Sequence, residues 1–250
     1  MTTSLLNSLL RALLRWGAAL VFCLPLRHRS HFWARACGML FPLLLLAQLL
    51  DPLAQSTTLW QQQLLLLALY ISFFALLGGM IYLCTDINKK GAMYCAVWSL
   101  LIAQCAYEGW CFLELYFSRH GHPLNMASPW AVLVQLLSGA VFFAAVYLLL
   151  ARQLPYKGEY HIGPRQLFSA FFIGILFMVQ AAVLDNFRAE QFPRSVIATI
   201  LIGQFYFITL LYFQSELFKK SAMEKEMNAL NLLYERQRQQ YQVARQNVQI

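Results

Sequence analysis

The chain alternates between long apolar runs and short polar breaks, and the runs have the length of membrane-crossing helices. Leu64 to Cys84, Pro129 to Ala151, Gln166 to Leu184 and Val196 to Ser215 contain no charged residue. About 20 such residues cross a bilayer as a helix. Gly91 to about Leu115 predicts a further span, with Glu108 and Glu114 late in it, and Phe32 to Leu50 another, bent at Pro42 and closed at Asp51-Pro52. The weakest segment is the first. Trp16 to Leu26 is uncharged but short, and Arg11 and Arg15 precede it. No small-residue cleavage site follows this run, so it reads as an uncleaved helix, not a signal peptide. The expectation is about seven transmembrane helices. Arg11 and Arg15 are then expected to snorkel to headgroups or to lie in an interfacial amphipathic helix.

After the last span the pattern changes. The final proline is Pro193 and the final glycine Gly203, and beyond them Ala, Leu, Met, Glu, Gln, Lys and Arg dominate. Nothing there breaks a helix, so the last span is expected to continue into water as one helix. The part beyond Lys219 would reach about 48 Å at the α-helical rise. Met227, Tyr234, Tyr241 and Val248 fall seven apart, and Met223, Leu230, Gln237 and Ala244 form a second series offset by three. These are the a and d positions of a coiled coil with one polar d residue, Gln237. A parallel homodimer is expected through this seam, because an isolated helix with so few apolar residues needs a partner to persist. The competing reading is a single amphipathic helix on the membrane or on another domain. The domain division that follows is 1–215 for the membrane part and 216–250 for the signalling helix.

Composition supports lipid as the solvent. Of 250 residues, 60% are hydrophobic and only 12% are charged, with a mean hydropathy of +0.53. A soluble domain carries about 25% charged residues. The runs are long and uninterrupted, not short and alternating, which favours helices over a barrel. The fold class is therefore all-α, polytopic and membrane-embedded.

The net charge of +8 does not point to nucleic acid, because the basic residues lie between the apolar runs and form no single patch. Arg27, Arg29 and Arg35 follow the first run, Lys89 and Lys90 the third, Arg152, Lys157 and Arg165 the fifth, and Lys219, Lys220 and Lys225 the seventh. The alternate loops carry few. By the positive-inside rule the C-terminal helix is cytoplasmic.

Catalytic motifs are absent: the chain has no GxGxxG, Walker loop, HExxH or CxxC. Cys23, Cys37, Cys84, Cys95, Cys105 and Cys111 mostly fall within apolar runs and read as buried small hydrophobes. His120 and His122 near Glu114 read as a polar outer loop rather than a metal site. A charge facing lipid is costly, so Glu108 is expected to face the bundle or to sit at outer-interface depth. Gln104, Tyr107, Glu108, Glu114 and Asp185 are the candidate ligand-binding residues. The alternative for them is an aromatic and polar interfacial belt.

Several short motifs resemble a known family. "LPLRHR" and "FWAR" (Leu24 to Arg29, Phe32 to Arg35) resemble the first cytoplasmic turn of Gram-positive bacterial sensor histidine kinases with GHKL-type ATPase domains. "CTDINKKGAMYCA" (Cys84 to Ala96), with Gln104 and Tyr107 downstream, resembles their third-to-fourth span connection. "QQYQVARQNVQI" (Gln239 to Ile250) resembles the helix entering their phosphoacceptor region. Peptide-pheromone receptor kinases share this layout. The resemblance implies a bacterial plasma-membrane sensor that binds an extracellular or lipid ligand, a peptide among the candidates. It also implies a dimeric kinase core using ATP and Mg and passing its phosphoryl group to a response regulator. No histidine follows His161 and no ATP-binding domain is present in these residues. No catalytic residue is therefore carried over, and neither cofactor nor metal is expected in this chain. The chain is expected to be the sensor part of a longer protein or a truncated product. A small transporter or channel is the main alternative. It would use broken helices with polar groups near mid-membrane, of which Gly78-Gly79 and Gly139 offer little. A membrane-embedded enzyme is the third reading, and no convincing set of paired carboxylates or nucleophile and base supports it.

Overall fold

A computed structural model describes residues 2–54, 59–119, 129–153, 162–187 and 194–248. The described residues are helical throughout, without a strand: α1 (Thr2–Cys23), α2 (Phe32–Ala54), α3 (Leu59–Cys84), α4 (Lys89–Arg119), α5 (Pro129–Val146), α6 (Pro164–Phe187) and α7 (Arg194–Val248). They form two compact units, Met1–Leu211 and Tyr212–Ile250. Among the described residues, four helices contain stretches long and apolar enough to cross a membrane: Phe32–Leu49, Leu67–Cys84, Lys89–Glu114 and Trp130–Ala151. The loop histidines His120 and His122 lie outside the described residues.

Two helix ends differ from expectation. α2 is not closed at Asp51-Pro52 but runs on to Ala54, because proline's fixed φ is itself helical and one lost backbone bond in a final turn is tolerable. α5 ends in a π-helical turn, Tyr147–Ala151, in which the Arg152 N–H donates to the Tyr147 carbonyl at 3.1 Å. Such a turn adds one residue to the ring closed by the hydrogen bond.

In the first unit the core is built around α1, α3 and α4. Trp98 of α4 is fully buried and its ring centre lies 6.1 Å from that of Phe22 on α1. Tyr94, Phe73, Leu77, Met80 and Leu101 are also enclosed. The contacts fix the helix directions. Phe22 meets Trp98 while Arg11 meets Tyr107, so α1 and α4 are antiparallel. Leu14 faces Gly139 and Gly17 faces Phe143, so α1 and α5 are parallel. Phe74 packs edge-on against Phe171, and Val97 lies against Gly174, which seats α6 on α3 and α4. Outward faces stay apolar: Phe41, Val141, Leu149 and Phe168 are widely exposed, the arrangement expected of a bundle solvated by acyl chains.

The α1–α2 and α3–α4 turns are joined. The Arg29 N–H donates to the Cys84 carbonyl at 3.0 Å, and the Asp86 N–H donates to the Arg27 carbonyl at 2.9 Å, an antiparallel bridge between His28 and Thr85. Arg35 Nη1 donates to the Leu83 carbonyl at 2.8 Å. Arg29 approaches Asp86 at 3.8 Å and lies over the Tyr82 ring. His31 enters α2 with φ at 58°, a left-handed conformation that is uncommon for a residue with a Cβ. Given the helix directions, this clasp gathers Arg27, Arg29, Arg35, Lys89 and Lys90 at one end of the bundle, with Arg152 and Arg165 at that same end.

The α1–α5 contact makes a sharp prediction. A Cβ at Gly17 would stand 3.0 Å from Phe143 Cε2, whereas one at Gly109 would meet nothing within 4 Å. Gly17→Leu is expected to destabilise the bundle by about 1–3 kcal/mol through overpacking. Gly109→Ala is expected to be neutral or to stabilise by about 0.5–1 kcal/mol, the helical cost of glycine. Thermal unfolding of both variants in detergent checks the opposite signs. Equal melting temperatures would show that α1 and α5 do not pack this closely.

Candidate functional site

α1 is apolar except for one stripe. Ser8, Arg11 and Arg15 recur at intervals of three and four residues and so share a face. The same spacing places Gln104, Tyr107 and Glu108 on one face of α4. The two stripes meet inside the bundle. Arg11 Nη2 donates to Tyr107 Oη at 2.6 Å, and the guanidinium lies 4.6 Å from the centre of that ring. Gln104 Nε2 donates to Glu108 Oε1 at 2.9 Å. Arg15 is only 6% exposed, with its guanidinium 3.8 Å from the centre of the Phe73 ring on α3. Gln104 and Glu108 are 6% and 3% exposed.

The Arg11 and Arg15 placement departs from the sequence expectation. Both were expected at headgroup depth, yet Arg15 is enclosed by protein and Arg11 points at α4. The physical reason is the cost of a charge facing lipid. A neighbouring helix that offers a phenol, a carboxamide, a carboxylate and an aromatic face is a better solvent for guanidinium than acyl chains. A small cavity opens between α1, α3 and α4, walled by Arg11, Arg15, Tyr70, Gln104 and Tyr107. It is wide enough for about one water molecule.

Of the residues singled out from sequence, Gln104 and Tyr107 line this cavity, and Glu108 is hydrogen-bonded to Gln104 beside it. Glu114 is half-buried on α4 but six residues beyond Glu108, on a different face, and is not in the cavity wall. Asp185 belongs to α6, and its side chain lies outside the described residues. Arg11, Arg15, Tyr70 and Ser8 are additions from the structure. The signal available in the sequence was the matched spacing of the α1 and α4 polar stripes, which does not by itself say that they face one another.

A second polar side chain is enclosed nearby in the fold. Gln135 of α5 is 2% exposed, and among the described residues neither its Nε2 nor its Oε1 has a hydrogen-bond partner. Its helix is parallel to α1 and meets Leu14 at Gly139, so Gln135 stands one turn back, level with Leu10 and Arg11. Among the described residues no three His, Cys, Asp or Glu side chains gather as a metal site. The six cysteines are unbridged, with Cys23, Cys84, Cys95 and Cys105 buried.

In the second unit the seam residues stand open to solvent. Met223, Met227, Leu230, Tyr234, Gln237 and Tyr241 are all exposed, and the side chains of Ala244 and Val248 lie outside the described residues. Leu232 and Leu233 are exposed as well. Leu232 occupies the outer f position of the heptad and Leu233 the flanking g position. Comparisons of the chain with protein-family models, with curated proteins and with solved structures found no match.

Proposed function

We propose that this chain is the membrane sensor module of a two-component histidine kinase of the GHKL type. It lies in a bacterial plasma membrane with about seven spans, the basic end of the bundle and the C-terminal helix facing the cytoplasm. A ligand reaching the bundle biases its packing. α7 carries the change as a shift or rotation to a dimeric kinase core that lies outside these residues, where ATP and Mg bind and from which a response regulator is phosphorylated. The observation that carries this reading is α7 itself, 55 residues of helix from Arg194 to Val248. An unbroken helix is stiff along its axis, and an apolar stripe exposed in one chain is covered by a second copy in a parallel coiled coil. A ligand acts on such a device only through its different affinities for the two packings.

The test is disulfide cross-linking in native membranes. α7 has no cysteine of its own, so single substitutions at Met227, Leu230, Tyr234 and Tyr241 report the seam, and Leu232→Cys reports its far side. Dimer bands are expected to be at least several-fold stronger at the four seam positions than at Leu232. Uniform bands, or none, reject the paired rod. Uptake of solute into proteoliposomes containing the chain would favour a transporter instead.

A further inference from the structure

An outward apolar strip on α3 ends at two arginines. Leu64, Ile71 and Ala75 are exposed and recur at intervals of seven and four, the spacing of one helical face. Tyr82, seven residues on, continues that face, with the exposed Leu83 beside it. Arg29 lies over the Tyr82 ring, 5.0 Å from its centre, and Arg35 Nη1 donates to the Leu83 carbonyl at 2.8 Å. The two guanidiniums therefore meet consecutive residues of α3. Both arginines are half-buried, whereas Arg27, Lys89 and Lys90 around them are exposed. An aromatic face and a backbone carbonyl orient a guanidinium without neutralising it, and five N–H donors leave others free to turn outward.

The charge at this clasp is one-sided. The joined segments 24–35 and 83–92 hold five cations, Arg27, Arg29, Arg35, Lys89 and Lys90, and a single carboxylate, Asp86. Asp86 approaches Arg29 only at 3.8 Å, beyond hydrogen-bond length, and among the described residues Arg35 has no ion pair. Trp33, at the start of α2, is 61% exposed, as expected of an aromatic at headgroup depth.

We propose that Arg29 and Arg35 bind the phosphate of an anionic phospholipid whose acyl chains lie along the Ile71–Ala75 face of α3. The planar guanidinium fork matches phosphate oxygens. The surrounding Arg27, Lys89 and Lys90 favour a headgroup with net negative charge over a zwitterionic one, whose own cation they repel. A dissolved phosphate would gain nothing from the apolar strip, so the lipid is the occupant. Asp86 opposes binding, because it competes for Arg29. The site needs a bundle in lipid and no kinase, so it is independent of the sensor reading.

The test is native mass spectrometry of the full chain in maltoside detergent, offered equal amounts of phosphatidylglycerol and phosphatidylcholine with the same acyl chains. Phosphatidylglycerol is expected to be retained over phosphatidylcholine by about fivefold or more. Arg29→Gln combined with Arg35→Gln is expected to remove most of that preference. Arg152→Gln combined with Arg165→Gln, at the same end of the bundle, is expected to keep it. Asp86→Asn is expected to raise phosphatidylglycerol retention several-fold, a gain that a misfolded chain cannot give. Should the first double variant fail to fold, Asp86→Asn decides alone. Glycerol phosphate, added as a dissolved competitor, is expected to change nothing. Equal retention of the two lipids, equal loss in both double variants, or no gain from Asp86→Asn would overturn the proposal. Displacement by glycerol phosphate would also overturn it, because the clasp would then be a site for dissolved anions.

Discussion

Ala229→Pro is expected to abolish cross-linking at Tyr241 while leaving it at Met223. Ala229 is exposed and occupies the outward c position of the heptad, so the substitution touches no seam contact. Its effect comes from the backbone. Proline removes the N–H that donates to the carbonyl four residues back and drives its ring into that carbonyl, at a cost of about 3 kcal/mol or more in a helix interior. In the proposed dimer the penalty would fall on both chains, and residues after the break would lose the heptad register set by those before it. A drop of about tenfold or more in the Tyr241→Cys dimer band is expected, with Ala229→Ser as the control that keeps it. Unchanged bands at both positions would mean that the two ends of the tail pair independently, and transmission along one rod would have to be abandoned.

Trp98→Ala is expected to destabilise the bundle by about 3–5 kcal/mol. Trp98 is fully buried and packs against Phe22, and its indole N–H makes no hydrogen bond among the described residues. Its contribution is therefore volume and contact alone. In lipid the apolar transfer term is small, because acyl chains are as apolar as the core, but the vacated space and lost dispersion contacts remain. For a chain of this size the loss corresponds to a fall in melting temperature on the order of ten degrees. Trp98→Phe keeps most of the volume and removes an N–H that has no partner, so its cost is expected to be below about 1.5 kcal/mol. Thermal unfolding in detergent distinguishes the two. Equal and small losses in both would mean that the α1–α4 interface is loosely packed.

These two residues mark different degrees of legibility. The helix around Ala229 could be read directly, because its formation depends on local propensity and on the absence of proline and glycine after Gly203. The burial of Trp98 could not. Tryptophan is enriched at membrane interfaces, and nothing in "CAVWSLL" says which side meets α1. The same applies to the candidate site. Gln104, Tyr107 and Glu108 stood out because polar residues are costly in a span, but their partners on α1 did not. The uncharged run from Trp16 to Leu26 is short for a span, and the two arginines that precede it were accordingly expected at the headgroups or in an interfacial helix.

The sequence by itself determined the helical class, the apolar lengths of the central segments, the basic bias of alternate turns and the heptad spacing along α7. Each of these depends on composition or on the period of a single helix, and needs no knowledge of a neighbour. Only the tertiary structure decided that the α1 stripe turns inward onto α4, that Arg15 lies over Phe73, and that the turn at His28 bridges the turn at Thr85. Periodicity names the residues that share a face, but what that face meets is a choice among neighbours. Here the choice follows from the cost of leaving a guanidinium to lipid when a phenol and an aromatic ring are within reach.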